Sequence, residues 1–349
     1  MRGPLLLYAA VCVGSFLCVF LLVPLSRRLA LFLGALDKPD HDRKVHQRSI
    51  PYLGGLAFYV AWLVMLATLS FFAPDWLYPE FYPLAVVGFP VILLGIYDDI
   101  CDLSSKIKLP LELILGGSLY FWGFKSVILS NPLGGTVYIG GFAVVITALW
   151  VAGMMNAVNF TDGLDGLAAG LVAIAAAVLF YLSFRQGYVF SSIIMAFLIG
   201  SCLAFLCYNF HPASIFMGDA GALFLGFMLG AATVLERQKG TAVIALSVPV
   251  MVVAVPLLDT GLSFLRRLRR VRDGRFFTPD RHHIHHRLLA LGLSQRQVVL
   301  SLYALSLCFG LLALIFAGLS AGFKLLLLLT AGICTLLAVA FLRHKERMK

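Results

Sequence analysis

Residues 167–184 read LAAGLVAIAAAVLFYLSF, and residues 189–208 read VFSSIIMAFLIGSCLAFLCY. Neither run carries a charged side chain. About 20 apolar residues at 1.5 Å of rise each cross the roughly 30 Å hydrocarbon core of a bilayer. The runs lack the in–out alternation of a membrane strand, so they predict helices rather than a barrel. Working outward, similar runs lie near 4–26, 51–72, 82–97, 109–125, 137–155, 220–235, 242–264, 297–317 and 323–342, giving eleven expected spans. The fourth and eighth are short and Gly-rich, which leaves their ends soft. Composition agrees, with 61% hydrophobic and only 13% charged residues, about half the charge of an ordinary globular domain. A soluble domain is excluded. The expected fold class is an all-α integral membrane protein of about eleven transmembrane helices with cytoplasmic active-site loops, one polytopic domain over residues 1–349.

The apolar stretch Leu5–Val23 could imitate a signal peptide, but Pro24 to Arg28 follow it instead of a small-residue cleavage pattern. It reads as the first span. Seven cysteines are scattered without a CxxC pair, so neither a disulfide framework nor a thiolate metal site is indicated. Orientation comes from lysine and arginine. The loops after odd-numbered spans and the C-terminal tail hold 21 of the 27 basic residues, predicting an outside N-terminus and a cytoplasmic C-terminus. The +10 net charge is therefore mostly a topology signal and does not argue for nucleic acid. The loops on the other side are short and chemically plain.

Of seventeen acids, only Asp75, Glu80 and Glu236 fall on the outer side. Asp98 and Asp99 end the third span, where the helix macrodipole disfavours anions and adjacent carboxylates repel. A cation or an acidic proton between them would make the pair reasonable. Asn156, Asn159, Asp162 and Asp165 recur at every third position, and on a helical turn or tight re-entrant loop they would share one face. Gly163 and Gly166 would let backbone approach a ligand. A helix cap explains one such residue, not four. Asp219 opens the eighth span and reads either as a cap or, with Asn159 or Asp162, as an oxygen ligand for a hard cation. Asp259 lies near the inner end of the ninth span, and an acid at that depth is a functional candidate.

Residues 266–296 form a basic loop containing His282, His283, His285, His286 and Arg287. Histidine is largely neutral at pH 7, so orientation does not explain this cluster. His282 and His286 have the spacing of two zinc ligands, yet no third ligand is evident. Imidazole and guanidinium groups binding diphosphate oxygens is the favoured reading. The loop 37–48, with Lys44, adds a second basic wall. Carboxylates for a hard divalent cation, surplus Arg and His, and a membrane setting together suggest phosphoryl chemistry. No GxxxxGK[ST] loop is present, which argues against a P-loop pump.

The runs around Asp98-Asp99, Asn156–Gly166, Gly218–Gly221 and His282–Arg287 resemble the polyprenyl-phosphate N-acetylhexosamine-1-phosphate transferases, the family of the MraY, WecA and TagO enzymes. The likeness follows motif order over most of the chain. It implies transfer of a sugar-1-phosphate from a UDP-sugar donor to undecaprenyl phosphate in the bacterial inner membrane, with Mg²⁺ and release of UMP. It implies that Asp98 and Asp99 handle the acceptor phosphate, Asp219 and Asn159 hold metal, and Asp162 and Asp165 orient or activate. Lys44, Asn156 and the 282–287 cluster would bind substrate. The His-Ile-His-His-Arg reading departs from the MraY pattern and favours a WecA/TagO-like donor, UDP-GlcNAc first, over a MurNAc-pentapeptide. A cation-coupled secondary transporter is the alternative from another class. Oligomeric state stays open, a homodimer included.

Overall fold

The computed structural model describes residues 2–37, 49–125, 128–130, 136–138, 140–236, 288 and 292–318. Nine helices are described: α1 (Arg2–Leu33), α2 (Gly55–Phe72), α3 (Phe81–Cys101), α4 (Ser105–Ser118), α5 (Ala143–Thr161), α6 (Leu167–Gln186), α7 (Val189–Asn209), α8 (Gly218–Glu236) and α9 (Gln295–Gly318). Two small antiparallel hairpins interrupt them, Leu36–Asp37 with Ile50–Pro51 and Ile128–Ser130 with Thr136–Tyr138.

All of these helices except α4 are long and apolar enough to cross a membrane, eight among the described residues. The expected fourth span is α4, fourteen residues long, continued by a 3₁₀ turn over Leu119–Trp122. It begins earlier than the apolar run, because Ser105 to Lys108 already wind into the helix. The ninth and eleventh expected spans, 242–264 and 323–342, lie outside the described residues. The chain is a multi-pass helical membrane protein.

Burial decides which helix is central. In α8, 89% of the spanning window is buried, against 28% in α1. The outer helix α1 presents Leu6, Leu21 and Phe32 to the surroundings, as a lipid-facing helix would. The central α8 packs on α2, α3, α5 and α7. Its glycines, which made the eighth run look ill-defined, are what admit those neighbours. A Cβ on Gly55 of α2 would lie 2.1 Å from the Gly221 nitrogen, and one on Gly226 would lie 2.6 Å from the Met155 Cα. Lipid tails are as apolar as leucine, so close backbone packing through small residues holds such helices together. Aromatic packing supplements it toward the other end, where Trp62 meets Phe81 and Phe197 edge-on.

Backbone pairing fixes the end of the bundle where the polar residues collect. The nitrogens of Gly54 and Gly55 donate to Phe216 and Met217 carbonyls at 3.0 and 2.8 Å, and the Phe216 nitrogen returns a bond to Pro51 at 2.8 Å. This short extended contact sets the entry to α8. Nearby, the turn between α5 and α6 is pinned through Gly166, which adopts φ 79°. Its nitrogen donates to Asn209 Oδ1 at 2.9 Å, and its carbonyl accepts from the Tyr303 hydroxyl.

Candidate active site

Asp98 and Asp99 lie in the last turn of α3, and their carboxylates diverge. Asp98 Oδ1 accepts from the Leu103 nitrogen at 2.8 Å, while Oδ2 pairs with Lys108 Nζ at 2.5 Å. Asp99 Oδ1 accepts from the Asp219 backbone nitrogen at 2.8 Å, and Oδ2 from that of Ala220 at 3.4 Å. Asp99 therefore caps the positive end of α8, where a carboxylate is stabilised by about 0.3–1 kcal/mol. The sequence suggested one positive partner between the two acids. Each instead has its own: an ammonium for Asp98 and a helix N-terminus for Asp99.

Lys108, near the start of α4, ties three other helices together. Its Nζ lies 2.5 Å from Asp98 Oδ2, 2.7 Å from Asp219 Oδ2 and 3.3 Å from Asn159 Oδ1. The Asn159 amide in turn donates from Nδ2 to Asp219 Oδ1 at 2.6 Å. Oxygens from α3, α5 and α8 thus converge on one cationic point, and the Lys108 side chain is only 12% exposed. Two carboxylates and an amide oxygen make a hard-cation donor set. Mg²⁺ commonly takes one or two protein carboxylates and completes its shell with water and substrate phosphate. Among the described residues no group of three His, Cys, Asp or Glu side chains is spaced to hold a metal. The donor set suits a cation shared with substrate better than a closed protein cage.

The four-residue stripe only partly survives folding, because α5 ends at Thr161. Asn159 faces Asp219, whereas Asn156 donates from Nδ2 to Glu112 on α4 and to the Ala152 carbonyl at 2.9 Å. Asp162 is the residue after the helix, its nitrogen bonded to the Asn159 carbonyl at 3.1 Å. Asp165 turns to the loop before α8, accepting from the Ala213 nitrogen at 3.1 Å and pairing with His211 Nδ1 at 2.7 Å. The structure thus gathers Asp98, Asn159 and Asp219 around Lys108, with Asp99 against the backbone nitrogens that open α8. It places Asn156 one turn away and commits Asp165 to holding the 210–215 loop. Lys44, His282, His283, His285, His286, Arg287 and Asp259 lie outside the described residues.

Asp162 is half-buried beside this cluster. Desolvation, then the Asp219, Asp99 and Asp165 carboxylates, push its pKa well above the ordinary carboxylate value. A raised carboxyl pKa makes ionisation cost folding stability. The loss begins as pH rises through the unfolded value, near 4, and grows until the folded pKa is passed. Asp162→Asn cannot ionise. Its thermal midpoint in detergent is expected to exceed wild type at about pH 7.5 and to converge with it near pH 4. A difference independent of pH would contradict this origin.

Sequence reasoning passed over three residues that the fold brings in. Lys108 reads from sequence as one more basic loop residue, yet it sits near the positive end of α4, a place a cation avoids without anionic partners. Glu112 is fully buried at 0% exposure. His211 had no periodic or motif context at all.

A helical membrane bundle that collects carboxylates, an amide and a lysine at one end defines a polytopic membrane protein with a polar crevice at that end. Residues 81–236 match the family described as "Glycosyl transferase family 4". A Bacillus subtilis (strain 168) protein named "Probable undecaprenyl-phosphate N-acetylglucosaminyl 1-phosphate transferase" is 36% identical over 304 residues, 86% of this chain and 82% of that protein. A decaprenyl-phosphate N-acetylglucosaminephosphotransferase of Mycolicibacterium smegmatis is 36% identical, covering 79% of this chain and 74% of its own. An undecaprenyl-phosphate alpha-N-acetylglucosaminyl 1-phosphate transferase of Escherichia coli (strain K12) is 28% identical, with 82% and 77% covered. The chain belongs to this family of polyprenyl-phosphate N-acetylhexosamine-1-phosphate transferases.

Proposed function

We propose that the protein transfers N-acetylglucosamine 1-phosphate from UDP-GlcNAc to undecaprenyl phosphate, releasing UMP, at the cytoplasmic face of a bacterial plasma membrane. The N-terminus lies outside and the C-terminus inside. The observation that carries this reading is the convergence of Asp98 Oδ2, Asp219 Oδ2 and Asn159 Oδ1 on one cationic point. The names of the relatives support the acceptor and the sugar.

In the reaction, an oxygen of the lipid phosphate attacks the sugar-bearing phosphorus of the donor. The bond from that phosphorus to the bridging oxygen breaks, and UMP leaves with the electron pair. Asp98, Asp219 and Asn159 are the residues that would hold Mg²⁺. When bound, the ion would neutralise diphosphate charge and stabilise the leaving group. Asp99, half-buried at the start of α8, orients the acceptor side of the crevice. Lys108 supplies a second positive charge beside the same crevice. Asp162, at the end of α5 beside the Asp219 and Asp99 carboxylates, adds a further carboxyl to the crevice. The 282–287 cluster binds the donor diphosphate.

A donor panel tests the assignment. Purified protein with undecaprenyl phosphate and Mg²⁺ is expected to release UMP from UDP-GlcNAc and far less from UDP-GalNAc or UDP-MurNAc-pentapeptide. Preference for the pentapeptide donor would replace this reading with an MraY-like one. Cation flux in proteoliposomes without UMP release would replace it with a transporter.

A further inference from the structure

We propose that Lys108 is an exchangeable occupant of the Asp98–Asn159–Asp219 cradle, and that Glu112 is the positioning residue that receives its ammonium when a divalent cation takes the cradle. The inference rests on the cation reading above, but its evidence comes from α4. Glu112 follows Lys108 by four residues, so the two side chains share one helix face and lie within reach of each other. Glu112 is fully buried. Its Oε2 accepts from Asn156 Nδ2, while Oε1 has no hydrogen-bond partner among the described residues. An unsatisfied buried oxygen costs about 1–3 kcal/mol, and more if it is charged. Such a cost persists where a second arrangement of the site supplies the missing partner.

The geometry says which group that partner is. The three N–H donors of a lysine ammonium match the three cradle oxygens, so in this arrangement no donor remains for Glu112. An ammonium and a divalent ion cannot occupy the same three oxygens, since their repulsion at contact is severe. The flexible four-carbon stem lets Lys108 leave by rotamer change alone, with the α4 backbone unmoved. Asn156, fixed by the Ala152 carbonyl, holds the Glu112 carboxylate in place for it. The site thus keeps one positive charge in the cradle before the metal arrives, and a paired lysine beside it afterwards.

Mn²⁺ titration of the full-length protein in detergent, read by the EPR signal of free Mn²⁺, tests this without turnover. Wild type, Lys108→Met, Glu112→Gln and the double variant form the cycle. Lys108→Met is expected to tighten Mn²⁺ binding about tenfold, the factor for a lysine filling the cradle roughly nine-tenths of the time. Glu112→Gln is expected to weaken binding about threefold or more in wild type and to have no effect in the Lys108→Met background. Equal weakening in both backgrounds overturns the inference, because Glu112 would then act on the metal directly. Unchanged affinity in Lys108→Met overturns it as well, while leaving the cation reading intact. No Mn²⁺ uptake by wild type or Lys108→Met overturns both. Where Lys108→Met does not survive extraction, Lys108→Gln takes its place.

Discussion

Asp219→Asn is expected to lower UMP release by about a thousandfold or more, equivalent to ~4 kcal/mol of transition-state stabilisation. Asp219 holds the crevice together through both side chain and backbone. Oδ2 meets Lys108 at 2.7 Å, Oδ1 accepts from Asn159 at 2.6 Å, and the backbone nitrogen of the same residue donates to Asp99 at 2.8 Å. Asparagine keeps the backbone link, so Asp99 still caps α8. It removes one of the two carboxylate charges converging on the cation point and turns one acceptor oxygen into an NH₂ donor that faces the Lys108 or Asn159 donor. The loss should therefore fall on turnover and on the Mg²⁺ dependence, with the fold retained. UMP release under saturating substrates across a Mg²⁺ titration, with the thermal midpoint followed in parallel, separates the two. Activity within about threefold of wild type would remove Asp219 from the proposed site.

The sequence made the helices legible because the bilayer imposes a simple rule on length and polarity. The runs 167–184 and 189–208 became α6 (Leu167–Gln186) and α7 (Val189–Asn209) with ends shifted by two residues or fewer. The polar groups of the crevice were legible as residue types and less so as partners. Asn159 and Asp219 are 60 residues apart, and Lys108 and Asp219 are 111 apart. No periodicity encodes such pairings. They follow from how α3, α4 and α5 pack around α8. A face shared through residue 165 needs a continuing helical turn or a tight re-entrant loop, whereas α5 stops at Thr161 and Gly166 turns the chain at positive φ. Asp165 consequently faces His211 rather than Asp219. A residue pattern reports a shared face only while the helix continues, and the Asp-Gly pairs at 162–163 and 165–166 favour a turn over continuation.

Gly95→Ala is the second substitution with a large expected effect, and it tests whether helix packing sets the chemistry. A Cβ at Gly95 would lie 2.2 Å from Ala220 Cα, 2.4 Å from the Ala220 nitrogen and 2.7 Å from the Asp219 carbonyl carbon. Carbon atoms rest at about 3.5–4.0 Å. The atoms struck are backbone, so relief requires α3 and α8 to part by roughly 1 Å or more. Asp99 lies four residues on, over the same contact, and reaches the Asp219 and Ala220 nitrogens from it. Parting the helices breaks those bonds and carries Asp98 away from the crevice. A misplacement of about 1 Å can cost a hundredfold in rate, and overpacking adds roughly 1–3 kcal/mol of lost stability. Gly88→Ala is the internal control. It lies seven residues earlier on α3, and its Cβ would meet the Phe224 ring edge at 3.1 Å. A side chain can yield there with the backbone in place. Gly95→Ala should therefore lower both the thermal midpoint and UMP release sharply, while Gly88→Ala lowers either only slightly. Equal behaviour of the two would mean that the close approach of α3 and α8 does not position the acids, and that Asp99 reaches its place by some other constraint.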